Sequence, residues 1–143
     1  MRVVLDTNVL ISALITRKGT PGQLLEKMKS EEFFLVLSEQ VFSELIRVLD
    51  YPHLRSRYRY TDEQKERFLH SLRSVAIWVN APETLSVVAE DESDNRFVEL
   101  AVAGQARYIV TGDQKHLLKL RHYQGIDIVS PVEFLALLGT SQA

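Results

Sequence analysis

Short apolar runs rich in β-branched residues alternate with amphipathic segments along this chain, which predicts an α/β fold: three layers, α/β/α, with a central parallel sheet of about five strands. Two further observations support that class. The runs, such as Val3-Val4-Leu5 and Leu35-Val36-Leu37, are continuously apolar, as strands covered on both faces must be. Helix-capping residues follow them directly, so each strand hands over to a helix, as a parallel sheet requires of its crossovers.

Taken in order, Val3-Val4-Leu5 predicts the first strand, with Asp6 at its carboxyl end and a short helix over residues 9–15. Thr20-Pro21-Gly22-Gln23 predicts a second helix, with Thr20 as its cap, Pro21 in the first turn, and Leu24, Leu25 and Met28 buried. Residues 33–37 predict a strand, and Ser38 caps a helix over Glu39–Leu49. On that helix Val41, Phe42, Leu45, Val48 and Leu49 form a core stripe, and Glu44 lies beside Val48 at its edge. Tyr51-Pro52 stops the helix, and Thr61-Asp62-Glu63-Gln64 is a capping box for the next, ending about Arg73.

Residues 75–79 predict a third strand. A helix then starts after Asp91-Glu92-Ser93-Asp94-Asn95, turns Phe97, Val98, Leu100 and Ala101 inward, and ends near Gly104. Residues 108–111 predict a fourth strand closed by Gly112-Asp113, with a short helix over 115–119 and a fifth strand over 126–129. Ser130-Pro131-Val132-Glu133 starts a last helix through Leu138. One domain over residues 1–138 and a frayed tail over 139–143 follow.

With 17 Lys+Arg against 19 Asp+Glu, the formal charge is -2, so any polyanion must be met by a local patch rather than by a global field. The absence of cysteine excludes disulfides, thiolate metal sites and cysteine nucleophiles. Met1-Arg2 leads straight into the first strand without the apolar core of a signal peptide, and no run is long enough to span a membrane; a cytoplasmic protein is expected.

Four acids share one description: Asp6 and Asp113 follow strands, Asp94 starts a helix, and Glu44 flanks the core face of another. All can reach the carboxyl edge of the sheet, where α/β proteins bind ligands. Carboxylates crowded into a cleft repel one another, and a divalent cation resolves the conflict. Oxygen ligands without sulfur select Mg²⁺ or Mn²⁺, and hydrolysis of a phosphodiester is the chemistry such a site fits. Structural roles compete for the same residues. Asp91 and Asp94 suit a helix N-terminus, Asp113 suits a turn, and Thr7 and Asn8 suit a cap for the helix after Asp6 as well as a supporting role around it, as does Thr111. Asp6 is the hardest to explain structurally, because acids are rare where a central strand meets two covering layers.

Asp6-Thr7-Asn8-Val9, Glu44, Asp94-Asn95-Arg96-Phe97 and Ile109-Val110-Thr111-Gly112-Asp113 resemble, in order, the successive motifs of the PIN-domain family, and more narrowly of its branch of toxins from toxin-antitoxin systems. The resemblance runs from about residue 2 to about residue 138. It implies a PIN-like, Rossmann-like fold and cleavage of single-stranded RNA. It also implies that Asp6, Glu44 and Asp94 bind Mg²⁺ or Mn²⁺ with Asp113 as a fourth, more variable acid, and that Thr7 or Asn8, with Thr111, supports them. A cognate antitoxin and a homodimer are implied partners. The branch often has proline where Glu92 stands and a further acid where Ser93 stands, so Asp91 competes with Asp94 for the third position. Asp94 is favoured by its interval to Phe97.

An RNA path past these acids needs cations and stacking surfaces. Residues 51–60 offer both, with Arg55, Arg57, Tyr58 and Arg59 as the binding set; the same stretch also reads as an interhelical loop packed on the core. Arg17-Lys18, Lys115 and His116 are secondary candidates, and the four histidines lack zinc-ligand spacing. Two other functions compete. A phosphatase of the haloacid dehalogenase type needs an acid two residues after Asp6, where this chain has Asn8. A catalytically inactive RNA- or protein-binding module would keep the sheet without using the metal.

Overall fold

The structure, a computed structural model, describes residues 1–16, 19–80, 92–113 and 117–141, with the side chains of 92–95, 140 and 141 outside the described set. The elements are β1 (Arg2–Leu5), α1 (Thr7–Ile15), α2 (Thr20–Lys29), β2 (Phe34–Leu37), α3 (Glu39–Leu49), α4 (Pro52–Tyr58) and α5 (Asp62–Val75), continuing with β3 (Ile77–Trp78), α6 (Glu92–Ala103), β4 (Tyr108–Val110), α7 (Leu117–Leu120), β5 (His122–Tyr123), β6 (Ile126–Val129) and α8 (Pro131–Ser141). The strands form one sheet in the order β3-β2-β1-β4-β6-β5. All neighbours pair parallel except β5, which runs antiparallel to β6. The sheet is therefore the expected parallel one with an antiparallel strand added at one edge.

Successive residues of β1 and β2 are buried alike: Val3, Val4, Leu35, Val36 and Leu37 are all fully enclosed. Neighbouring strand residues point to opposite faces, so both faces are covered and the predicted layering holds. The chain leaves β1 for β2 and β3 on one side, then returns through α6 to place β4 on the other. The reversal falls between β1 and β4, where an open α/β sheet leaves a crevice at its carboxyl edge. There the ladder continues past the strands, the Asp6 N–H donating to Val110 O at 3.1 Å and the Thr111 N–H to Val129 O at 2.9 Å.

Several boundaries differ from expectation, each for a local reason. Thr20 does not cap α2; the helix begins at Thr20 itself, extended Gly19 takes the cap position, and no side-chain cap bond forms. The capping boxes at Thr61 and at Ser130 with Glu133 are both present. α5 continues through Val75, whose side chain is exposed, and shortens the third strand to Ile77–Trp78. The stretch after Tyr51 is not a plain loop: Pro52 starts α4, and Arg59, at φ 51°, ends it in the left-handed conformation. β5, unpredicted, folds back through Gln124 and Gly125, both at positive φ, the geometry of a two-residue hairpin turn. α8 extends past Leu138 to Ser141.

Candidate active site

Asp6 stands on the crevice between β1 and β4, and its side chain has two structural bonds. Oδ1 accepts from the Val9 N–H at 2.8 Å, which caps α1, and Oδ2 accepts from the Thr111 hydroxyl. Thr111, fully buried after β4, in turn accepts from the Asp113 N–H at 3.0 Å. A hydrogen-bonded relay thus joins Asp113, Thr111 and Asp6 across two strands. Burial pushes the Asp6 carboxyl above its ordinary range; Thr111 and the amides of Val9 and Asn8 pull it back, and the negative charge of Asp113 pushes it further up. These donors do not offset the burial of Asp6, and a nearby positive charge would favour its ionised form.

Asp6, rather than Thr7 or Asn8, is the N-cap of α1. Its extended backbone and short carboxylate suit that position, so Thr7 and Asn8 fall inside the first turn. Freed from capping, Thr7 keeps a buried Oγ1 with no hydrogen-bond partner among the described residues, and Asn8 presents an exposed side chain. Such an orphaned hydroxyl is uncommon and suits a bound water or ligand oxygen.

Glu44 lies where the stripe on α3 places it, its side chain 17% exposed, and its Oε2 accepts from Arg96 Nη1 at 3.2 Å. This pair ties α3 to the first half of α6, the helix that carries Asp94. Arg96 was not assigned a role from sequence; its position two residues after an acid was the available signal. The structure thus brings Asp6, Thr111 and Asp113 together and joins Glu44 to Arg96. Among the described residues no three acids or histidines form a group that could hold a metal ion. The Asp94 side chain, Asp91, Arg17, Lys18, Lys115 and His116 lie outside the described set.

The basic stretch divides. Arg55 is held in an ion pair by Asp62, while Arg57 lies over the Tyr58 ring at 5.4 Å. Tyr51 and Tyr58 are each 40% exposed. Tyr60 is buried, its hydroxyl donating to Leu49 O, so it packs on the core rather than facing a ligand. The core-packed reading of the stretch thus applies to Tyr60, while Tyr51 and Tyr58 stand at the surface.

A doubly wound sheet with a buried carboxylate at its switch point defines a class of α/β protein whose chemistry collects at the carboxyl edge of the strands. The chain belongs to the PIN-domain family: the PIN domain matches residues 2–115. Proteins of this family are generally nucleases and typically use divalent metals. An uncharacterized protein of Methanocaldococcus jannaschii is 36% identical over 121 residues, covering 85% of this chain and 76% of that one. Among solved structures, PAE2754 from Pyrobaculum aerophilum is similar with a TM-score of 0.65 at 18% identity, over 98% of this chain and 90% of that one. VapBC2 from Rickettsia felis, bound to a DNA fragment from their promoter, is similar with a TM-score of 0.59 at 16% identity, over 91% and 98%. At such identities the two structures establish a shared fold.

Proposed function

We propose that the protein is a metal-dependent endoribonuclease that hydrolyses single-stranded RNA, acting as the toxin of a toxin-antitoxin pair. The observation that carries the reading is Asp6: a buried carboxylate at the switch point, beside a second acid, whose charged form its own hydrogen bonds do not fully compensate. The donors available are all oxygens, and the unpartnered Thr7 hydroxyl adds a site for a coordinated water, so the residues fit a hard, hydrated cation. Asp6, Glu44, Asp94 and Asp113 would hold Mg²⁺ or Mn²⁺. When bound, such an ion orients and activates a water and stabilises the oxyanion that leaves.

The chain's own groups do the rest. Thr111 fixes the orientation of the Asp6 carboxylate and links it to the turn at Asp113. Arg96 holds the Glu44 carboxylate at the mouth of α6. Arg57 and Arg59 meet backbone phosphates and Tyr58 stacks on an unpaired base, with Arg55, anchored by Asp62, as a fixed charge behind them. The toxin role rests on the motif series and on the shared fold with VapBC2; a cognate antitoxin and a second copy of the chain are the partners, and the cytoplasm is the compartment. No helix among the described residues is long and apolar enough to cross a membrane.

The test is cleavage of a fluorescent single-stranded RNA in Mn²⁺. Asp6→Asn and Asp94→Asn lose cleavage with an unchanged circular dichroism spectrum, while Asp91→Asn keeps most of it. Loss at Asp91 equal to that at Asp94 would transfer the third position to Asp91. An Asp6→Asn variant as active as the unsubstituted protein would overturn the role given to Asp6, and an unsubstituted protein that cuts no RNA in Mn²⁺ would leave the noncatalytic binding module.

A further inference from the structure

A groove of about 510 Å³ runs between α1 and α4, and it begins where the acidic site ends. That volume lies within the roughly 300–1,000 Å³ of sites that enclose small ligands. Asn8, two residues from Asp6, lines its near end, Ser12 follows one turn on along the same face of α1, and Thr16, which ends the helix, lines the far end. The opposite wall is aromatic: Tyr51 stacked on His53, with ring centroids 5.7 Å apart, and Tyr58 beyond them. Ile11 and Val48 contribute apolar lining between the walls.

We infer that this groove binds the unpaired bases of the RNA strand next to the phosphate being cut, and so selects the sequence that is cleaved. The inference rests on the ribonuclease reading and adds to it the wall of α1 that would read the bases. Three observations favour nucleic acid over a peptide. Among the described residues none that lines the groove is acidic, although the chain has 19 acids and a formal charge of -2. The guanidinium of Arg57 lies over the Tyr58 ring at its rim, where it adds positive charge for a phosphate. Tyr51 and Tyr58 are each 40% exposed, and exposed aromatic rings are the surfaces on which unpaired bases stack. Asn8, Ser12 and Thr16 supply amide and hydroxyl groups that can both donate to and accept from base edges, which makes the α1 face the sequence-reading wall.

The test measures fluorescence anisotropy of a labelled eight-nucleotide single-stranded RNA in EDTA, where cleavage is blocked and the groove is read apart from the metal. Ser12→Trp fills the groove and is expected to weaken binding at least 10-fold; Tyr51→Ala and Tyr58→Ala each weaken it about 5- to 100-fold, as loss of one stacked base does. Phe34→Ala, which removes an exposed ring at the opposite end of the sheet, binds as tightly as the unsubstituted protein. In Mn²⁺, Ser12→Thr shifts the preferred cleavage sequence. Unchanged binding by Ser12→Trp and by both tyrosine variants overturns the groove while leaving the ribonuclease reading intact. Failure of the unsubstituted protein to bind or cut any RNA overturns the ribonuclease reading and the inference with it. If Ser12→Trp keeps RNA binding but no longer retains a co-expressed antitoxin, the occupant is a peptide and the inference is wrong.

Discussion

The β1–α1 and β2–α3 junctions are built to the same plan on adjacent strands, and they differ in the side chain that caps the helix. Each strand ends in a buried cap that accepts from the amide three residues on: Asp6 from Val9 at 2.8 Å, Ser38 from Val41 at 3.2 Å. The two caps are similarly enclosed, at 4% and 6% exposure. Serine and aspartate cap helices about equally well. The Ser38 junction shows that a neutral hydroxyl suffices here, so the charge on Asp6 is surplus to the helix. Burial and the neighbouring Asp113 both disfavour that charge, and the cap does not require it.

The comparison can be broken first by making the junctions alike. Asp6→Ser should keep α1 capped and the domain folded yet slow RNA cleavage by at least ~100-fold, the scale on which a lost charge-stabilising group is felt. Next, Mn²⁺ at about a hundred times its dissociation constant should raise the melting temperature of the unsubstituted protein by roughly 5–10 °C and leave Asp6→Ser unmoved. Equal responses would mean the ion does not bind at Asp6. The reverse exchange, Ser38→Asp, should cost about 1–3 kcal/mol in denaturant unfolding, because it buries an acid at a cap where a neutral hydroxyl already suffices, and Mn²⁺ should not restore it.

The smallest effect is on pH dependence. The folded pKa of Asp6 is raised, so between the ordinary value of 3.8 and that raised value the native state holds more proton than the unfolded chain. Metal-free stability is therefore lost as pH rises through that window. Glu133 and Asp127 are shifted the other way, Glu133 chiefly by the Ser130 amide and Asp127 chiefly by His122, but they are common to both proteins. Unfolding curves of Asp6→Asn minus those of the unsubstituted protein should isolate Asp6 as a stability gain that grows with pH. A flat difference would show that its burial is compensated.

The features that sequence made visible are those fixed by a few consecutive residues. The apolar runs, the stripe on α3 that places Glu44, and the capping boxes at Thr61 and Ser130 all depend on local periodicity and survive in the structure. α4 was hidden because none of its side chains is buried, leaving no stripe to detect. β5 was hidden because two residues show no alternation and because Gln124-Gly125 lacks the asparagine or aspartate that usually announces its turn. At the site, Asp6 was conspicuous as an acid after an apolar run, and Thr111 was legible as a supporting residue. Their hydrogen bond was not legible, since it depends on β4 lying beside β1. Arg96 meets Glu44 across 52 residues and two helices, a meeting that no local pattern encodes.

The hydrogen bond between Asp6 and Thr111 joins residues 105 positions apart. A ribosome finishes everything through α6 before it makes the strand that completes this crevice, so a partly synthesised chain carries dispersed carboxylates rather than an assembled centre. On the proposed ribonuclease reading, the centre would therefore be completed only after β4 is made.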